Sequence, residues 1–275
     1  MVGVPSAAGG WLAQYESLVR DAGSRELAHG GGYMFKDLPQ TDGEADYLSF
    51  LIGEMDRWNI ERALVPVAFG DEWGRAGLAR YPGRLMGSYL VDPNGGGASC
   101  ASLRRAVADL GCVAAACFPS GTDPQVSISD PQMYPLFAAC AELQVPLFLN
   151  VGVPGPRFPL QTQHVEHLDQ VCFDFPELTI VMRHGAEPWE ELAIALMRKW
   201  PNLYYSTSAF APRHYPRALI DYANADGAEK VAYAGYFPSG LSLERIMNEL
   251  PGVPLRADVW PQFLRGNAER ILGLG

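Results

Sequence analysis

Seven short apolar runs, each set off from the next by a stretch of helical periodicity, constrain the fold of this chain more than any other feature. The runs are 62–69 (RALVPVAF), 85–91 (LMGSYLV), 112–118 (CVAAACF), 145–151 (VPLFLNV), 178–183 (LTIVMR), 202–207 (NLYYST) and 230–235 (KVAYAG). Each is the length of a strand and is apolar along its whole length, as strands covered on both faces are. Between them lie helical patterns. In residues 45–58, Leu48, Leu51, Ile52 and Met55 share one face. Further helices are expected at 99–110, 131–143, 162–174, 188–200, 214–224, 241–250 and 261–272. Residues 26–29 supply a weaker eighth strand at the front, after a helical stretch at 11–20.

Strands alternating with helices imply a parallel sheet. Eight such units in 275 residues predict a single-domain α/β protein, a closed (β/α)8 TIM barrel. Residues 1–44 read as an N-terminal helix and a first-strand or lid region, and 45–275 as the remainder of the barrel. No strand is followed by a glycine-rich dinucleotide fingerprint or a P-loop.

The net charge of −10 opposes binding to a phosphate backbone, so no nucleic-acid partner is expected. No apolar run reaches the roughly 18–20 residues of a membrane span, and no signal peptide precedes the first helix. The five cysteines form no C-x-x-C pair and read as buried free thiols, so a cytoplasmic protein is expected.

In a parallel barrel the functional groups gather at the C-terminal ends of the strands. Those ends carry His29 in the first unit, Phe118 in the fourth, Asn150 in the fifth, His184 in the sixth and Tyr236 in the eighth. His184, followed by Gly185, is the leading catalytic candidate, with Tyr236, Asn150 and His29 beside it. Each has a plainer reading: a structural histidine, a rim aromatic, a loop-capping amide. Arg157, in the loop after 145–151, is the leading group to hold a substrate carboxylate, ahead of Arg183 and Arg213. Tyr33, Phe118, Trp73 and His214 are candidate substrate contacts. An apolar or aromatic ligand with one or two polar handles would suit such a lining.

Several segments in order resemble the amidohydrolase superfamily, in the branch of aminocarboxymuconate-semialdehyde decarboxylase, the resorcylate decarboxylases and pyrone-dicarboxylate lactonase. They are VPLFLNVG, FPELTIVMRHGAEPWEELAIALMRKWPNLYYSTSA, KVAYAGYFP and FLRGNAERILGL. The resemblance implies a metal centre, yet the pattern that would hold it is degraded. The His-x-His of the family's first strand reduces to His29-Gly30-Gly31. The fifth-strand histidine is Asn150, the sixth is kept as His184, and the eighth-strand aspartate is Tyr236. Two imidazoles do not make a tight zinc site, so no metal and no cofactor is expected.

Three readings follow. The first is a metal-independent enzyme acting on a small aromatic or apolar carbonyl or carboxylate compound. By general acid–base catalysis it would perform lactone hydrolysis, decarboxylation, dehydration or cyclisation, with the resemblance implying a homodimer. The second is a catalytically inactive barrel kept as a ligand-binding or partner subunit. The third is a site rebuilt for a metal from Asp37, Asp71, Glu72 and Glu187.

Overall fold

A computed structural model describes residues 10–27, 30–35, 38–39 and 46–274. Seven strands form one parallel sheet in sequence order: β1 (Ala63–Val67), β2 (Leu85–Leu90), β3 (Ala114–Cys117), β4 (Leu147–Asn150), β5 (Ile180–Arg183), β6 (Leu203–Ser206) and β7 (Val231–Ala232). All seven expected apolar runs are strands. Eleven α-helices are described. They are α1 (Gly10–Tyr15), α2 (Ala22–Arg25), α3 (Tyr47–Arg57), α4 (Glu72–Arg80), α5 (Gly97–Leu110), α6 (Tyr134–Glu142), α7 (His167–Asp174), α8 (Glu190–Lys199), α9 (Arg217–Asn224), α10 (Leu243–Glu249) and α11 (Asn267–Ile271).

The sheet curls on itself as a barrel does. Leu64 of β1, Ala114 and Ala116 of β3, Phe148 of β4, Val181 of β5 and Ala232 of β7 pack into one buried cluster. Met86 of β2 and Tyr204 of β6 lie against it, so every strand contributes to the filling. The alanines of β3 make room for the Phe148 ring, as a close-packed barrel interior requires. Ile271 at the end of α11 belongs to the same cluster. Outside the strands, two larger apolar cores pack the helices onto the sheet. One of them joins Ala63, Val65 and Val67 of β1 to Phe237, Leu241 and Ile246, which follow β7.

Three expectations need correction. Glu26 and Leu27 form turn and coil rather than a strand, and Ala28 and His29 lie outside the described residues. The last strand stops at Ala232 because its backbone groups are taken by other partners. The amide of Tyr233 donates to the Phe263 carbonyl at 2.8 Å, and that of Ala234 to Thr207 Oγ1 at 3.1 Å. The helix expected over 162–174 starts at His167, after a 3₁₀ turn at Gln161–Gln163. Gln163 is turned inward instead, donating from Nε2 to the Gly152 carbonyl at 3.1 Å.

Candidate active site

At the C-terminal ends of the strands opens a cavity of about 1210 Å³. Among the sequence-derived candidates, Asn150, His184, Tyr236, Phe118 and His214 line it. His29 is outside the described residues. Arg157, Tyr33 and Trp73 are not in the lining. The Arg157 guanidinium pairs with Asp21 at 2.6 Å and lies 5.0 Å over the Tyr33 ring, on the outer surface. The Trp73 ring stacks on Tyr47 in the core between β1 and α3. These three were placed by loop position alone, and the loops turn them away from the opening.

β5 delivers the central groups. Its last residue is Arg183, and the three residues that follow all hold left-handed backbone, with φ 64° at His184, 105° at Gly185 and 61° at Ala186. A non-glycine residue held there costs on the order of 1–2 kcal/mol. The turn is kept by hydrogen bonds around it. The Tyr205 hydroxyl donates to the Gly185 carbonyl at 2.7 Å, and the amide of Val153 to the Glu187 carbonyl at 2.9 Å. The reversal places the His184 ring in the cavity directly beside the Arg183 side chain.

His184 is oriented from two sides. Its Nδ1 lies 3.0 Å from Ser208 Oγ, which also accepts from the His184 amide at 3.2 Å. Its Nε2 lies 3.3 Å from Nη2 of Arg183. A guanidinium only donates, so Nε2 accepts and the ring proton sits on Nδ1, donated to Ser208. The edge of the imidazole meets the Tyr236 ring with centroids 5.4 Å apart at 76°. Ser208→Ala takes the Ser208 acceptor from two half-buried donors. The expected outcome is a stability loss of about 1–2 kcal/mol by urea denaturation, with a shift in the ¹⁵N resonances that report the His184 tautomer.

Arg183 carries the electrostatics of the cavity. Burial pushes its guanidinium down to about 10, with the Tyr236 and Tyr15 phenols acting in the opposite direction. Among the described residues it has no carboxylate partner, and its Nε is buried without a hydrogen bond. Two further buried polar atoms in the lining, Asn150 Oδ1 and Ser88 Oγ, also lack partners among the described residues. Asn150 and Arg183 are register partners on β4 and β5, so an unmet acceptor and an unmet donor lie side by side. Burial raises the Tyr236 phenol, against the pull of Arg183, and keeps it a protonated donor. The other cavity cations are already compensated: Arg213 and Arg245 lie 3.6 and 3.0 Å from Glu249. His214 accepts at Nε2 from Nε of Arg213 at 3.0 Å.

The family pattern calls for a metal, and the donor set that the described residues offer does not fit one. Among the described residues no three His, Cys, Asp or Glu side chains come together as ligands could. The Nε2 of His184 faces a guanidinium, whose charge opposes a divalent cation at that place. Of the acids considered for a rebuilt site, Asp71 is occupied as the cap of α4, accepting from the amides of Trp73 and Gly74. Glu187 alone lines the cavity, and Asp37 lies outside the described residues.

Sequence reasoning placed Arg183 behind Arg157 and did not name Ser88 or Tyr15; the cavity lining includes Arg183, Ser88 and Tyr15 and not Arg157. A usable signal was present in LTIVMR, where a guanidinium ends an apolar strand. Such a charge is costly to bury and is kept where it has work to do.

Comparison with known proteins places the chain in context. The amidohydrolase family model (Amidohydro_2) matches residues 26–274. No curated protein matches. Among solved structures, an uncharacterised TIM-barrel protein from Bordetella bronchiseptica is similar, with a TM-score of 0.72 and 23% identity, covering 95% of this chain and 89% of that one. A 2,6-dihydroxybenzoate decarboxylase from Rhizobium has a TM-score of 0.66 at 17% identity, covering 99% and 96%. A 5-carboxyvanillate decarboxylase from Novosphingobium aromaticivorans, solved with manganese and 4-hydroxy-3-methoxy-5-nitrobenzoic acid, has a TM-score of 0.70 at 17% identity, covering 99% and 94%. At these identities the likeness is one of fold.

Proposed function

The chain belongs to the amidohydrolase family, and from that premise we propose that it converts a small aromatic or conjugated carboxylate by metal-independent acid–base catalysis. The observation that carries this reading is the partly buried Arg183 side chain, whose Nε is fully enclosed. It has no counter-ion among the described residues and stands beside His184 and Tyr236 in an aromatic-walled cavity. A buried cation without a partner is tolerated where a ligand supplies the anion. That the similar solved structures include decarboxylases of aromatic acids supports the same substrate class.

The geometry suggests how binding and proton transfer are coupled. In the ligand-free arrangement Arg183 Nη2 donates to His184 Nε2. A substrate carboxylate offers that guanidinium a charged, bidentate acceptor and draws it away from the ring. The Nε2 lone pair then becomes available as a base, while Ser208 keeps the proton on Nδ1. Tyr236 donates to oxygen where negative charge develops. Lactone opening, dehydration and cyclisation use this base directly, and in decarboxylation the proton that Nε2 takes from a substrate hydroxyl is returned to the carbon that loses CO2. In each, the substrate must itself be reactive, because no metal-activated water is called on.

One observation favours a second reading, a ligand-binding barrel without turnover. Both ring nitrogens of His184 are hydrogen-bonded, as in a histidine that only organises its loop. Incubation with a panel of small aromatic acids and lactone acids separates the two. The expected result is conversion unchanged by chelation or by added manganese, in protein with substoichiometric metal by elemental analysis. His184→Ala should lower that rate by about 10²-fold with the fold retained. Conversion that depends on manganese refutes metal independence, and binding without conversion favours the inactive barrel.

Among the described residues no helix is long and apolar enough to cross a membrane. The cysteines are free and buried, which supports a cytoplasmic location. A homodimer completes the proposal, and sedimentation velocity tests it.

A further inference from the structure

Residues 10–25 precede the stretch matched to the family, 26–274, yet they reach the cavity. Tyr15, the last residue of α1, is part of the lining together with Arg183 and Tyr236. Its ring fits a slot between Phe118 and Phe158, each with centroids 5.8 Å away and in edge-on contact. A side chain at Gly121 would close that slot, since a Cβ there would fall 2.9 Å from Tyr15 Cε1. The segment is fastened at two further points. Val19 is buried at 3% exposure, and Asp21 pairs with Arg157 at 2.6 Å. The last contact ties Arg157, which does not line the cavity, to the N-terminal segment.

The Tyr15 hydroxyl makes no hydrogen bond among the described residues. Burial raises its phenol to about 12, with Cys117 and Tyr236 adding to the rise and Arg183 opposing it. The group is therefore a protonated donor at neutral pH, within electrostatic reach of the cavity's uncompensated cation.

We infer that residues 10–25 form a strap belonging to the binding site, and that Tyr15 is a specificity-determining residue. It donates to the acid group anchored by Arg183 and limits the width of the ring the cavity accepts. The inference rests on the reading that Arg183 anchors a carboxylate. The strap thus selects single-ring acids over fused-ring acids, a choice made by residues outside the matched barrel.

The probes are benzoate and 2-naphthoate, with affinities measured by calorimetry on the full chain. Tyr15→Phe keeps the ring and removes the donor. It should weaken benzoate by about ten- to hundredfold, the value of one hydrogen bond to a charged group, without changing Tm. Tyr15→Ala removes the wall and should invert the preference, so that 2-naphthoate binds more tightly than benzoate. If both variants bind both acids as the wild type does, while Arg183→Met loses them, the strap proposal is overturned and the carboxylate anchor stands. If Arg183→Met keeps benzoate affinity while the Tyr15 variants lose it, the anchor is wrong and the strap stands.

Discussion

Arg183→Met is expected to make the protein more stable and unable to hold its ligand. The two effects come from one cause. A guanidinium at the end of β5 has left water without gaining a carboxylate among the described residues. The folded state bears that desolvation. Methionine has a similar length, no charge and enough flexibility to fill the space. At neutral pH the variant should unfold at higher denaturant concentration, with a gain of about 1–3 kcal/mol.

The dependence on pH has a definite sign. Arg183 is a base held down at about 10 in the folded protein, below the ordinary arginine value. Below 10 both folded and unfolded states carry the charge, and the folding penalty is present in full. As pH rises through about 10 the folded state sheds the proton first, and the penalty fades. The stability advantage of Arg183→Met should therefore shrink above pH 10. The affinity of the wild type for benzoate should fall over the same range, because the neutral side chain no longer attracts an anion. At neutral pH, losing a buried charge-assisted contact should weaken benzoate binding by about 4 kcal/mol, close to 10³-fold. A variant that is less stable, or that binds benzoate as the wild type does, would show that Arg183 serves the fold and not the ligand.

Gly152→Ala is expected to have the largest effect on stability. Gly152 follows β4 with φ 83°, a region that alanine enters at a cost. An added Cβ would also stand 2.8 Å from the Glu187 carbonyl oxygen and 2.9 Å from Ala186 C. Both obstacles are backbone, and that backbone is the left-handed turn that aims His184. The turn cannot retreat, because Val153 donates to the Glu187 carbonyl and Gln163 holds both sides of Gly152. Backbone strain and overpacking together should cost about 3–5 kcal/mol, read as a lower urea midpoint. A loss under about 1 kcal/mol would mean that the loop pair 152 and 186–187 is looser than its hydrogen bonds indicate. Gly83 is a suitable contrast. It also has positive φ, at 80°, but a Cβ there meets nothing within 4 Å. Alanine at that position should cost only the backbone share.

How much of the site could be read from the chain depended on the kind of element carrying it. Asn150, His184 and Tyr236 were found because they end or closely follow apolar strands, and parallel barrels open at that end. Arg157, Tyr33 and Trp73 were misplaced because they sit on loops or at a helix start. There the direction of a side chain is set by partners distant in sequence: Asp21 for Arg157, and Tyr47 for Trp73. Tyr15 was invisible for the same reason. Nothing in residues 10–25 shows that Tyr15 reaches the cavity until Phe118 and Phe158 are seen to receive its ring.

Local chemistry in the sequence by itself determined the seven strands and their parallel order, and the resemblance of its segments pointed to the family. Apolar runs of strand length cannot remain in water, and helical stretches between them leave a parallel sheet as the way to bury both faces. The resemblance of those segments to the family also implied an incomplete metal pattern, because Asn150 and Tyr236 stand where the family has a histidine and an aspartate. The tertiary structure alone decided what stands in its place. Among the described residues it brought Arg183 against His184 with no acid to neutralise it, set Asn150 Oδ1 unpaired beside it, and drew Tyr15 in from outside the matched barrel. The energy of a buried charge depends on which groups surround it, and those groups come from strands and loops far apart in the chain.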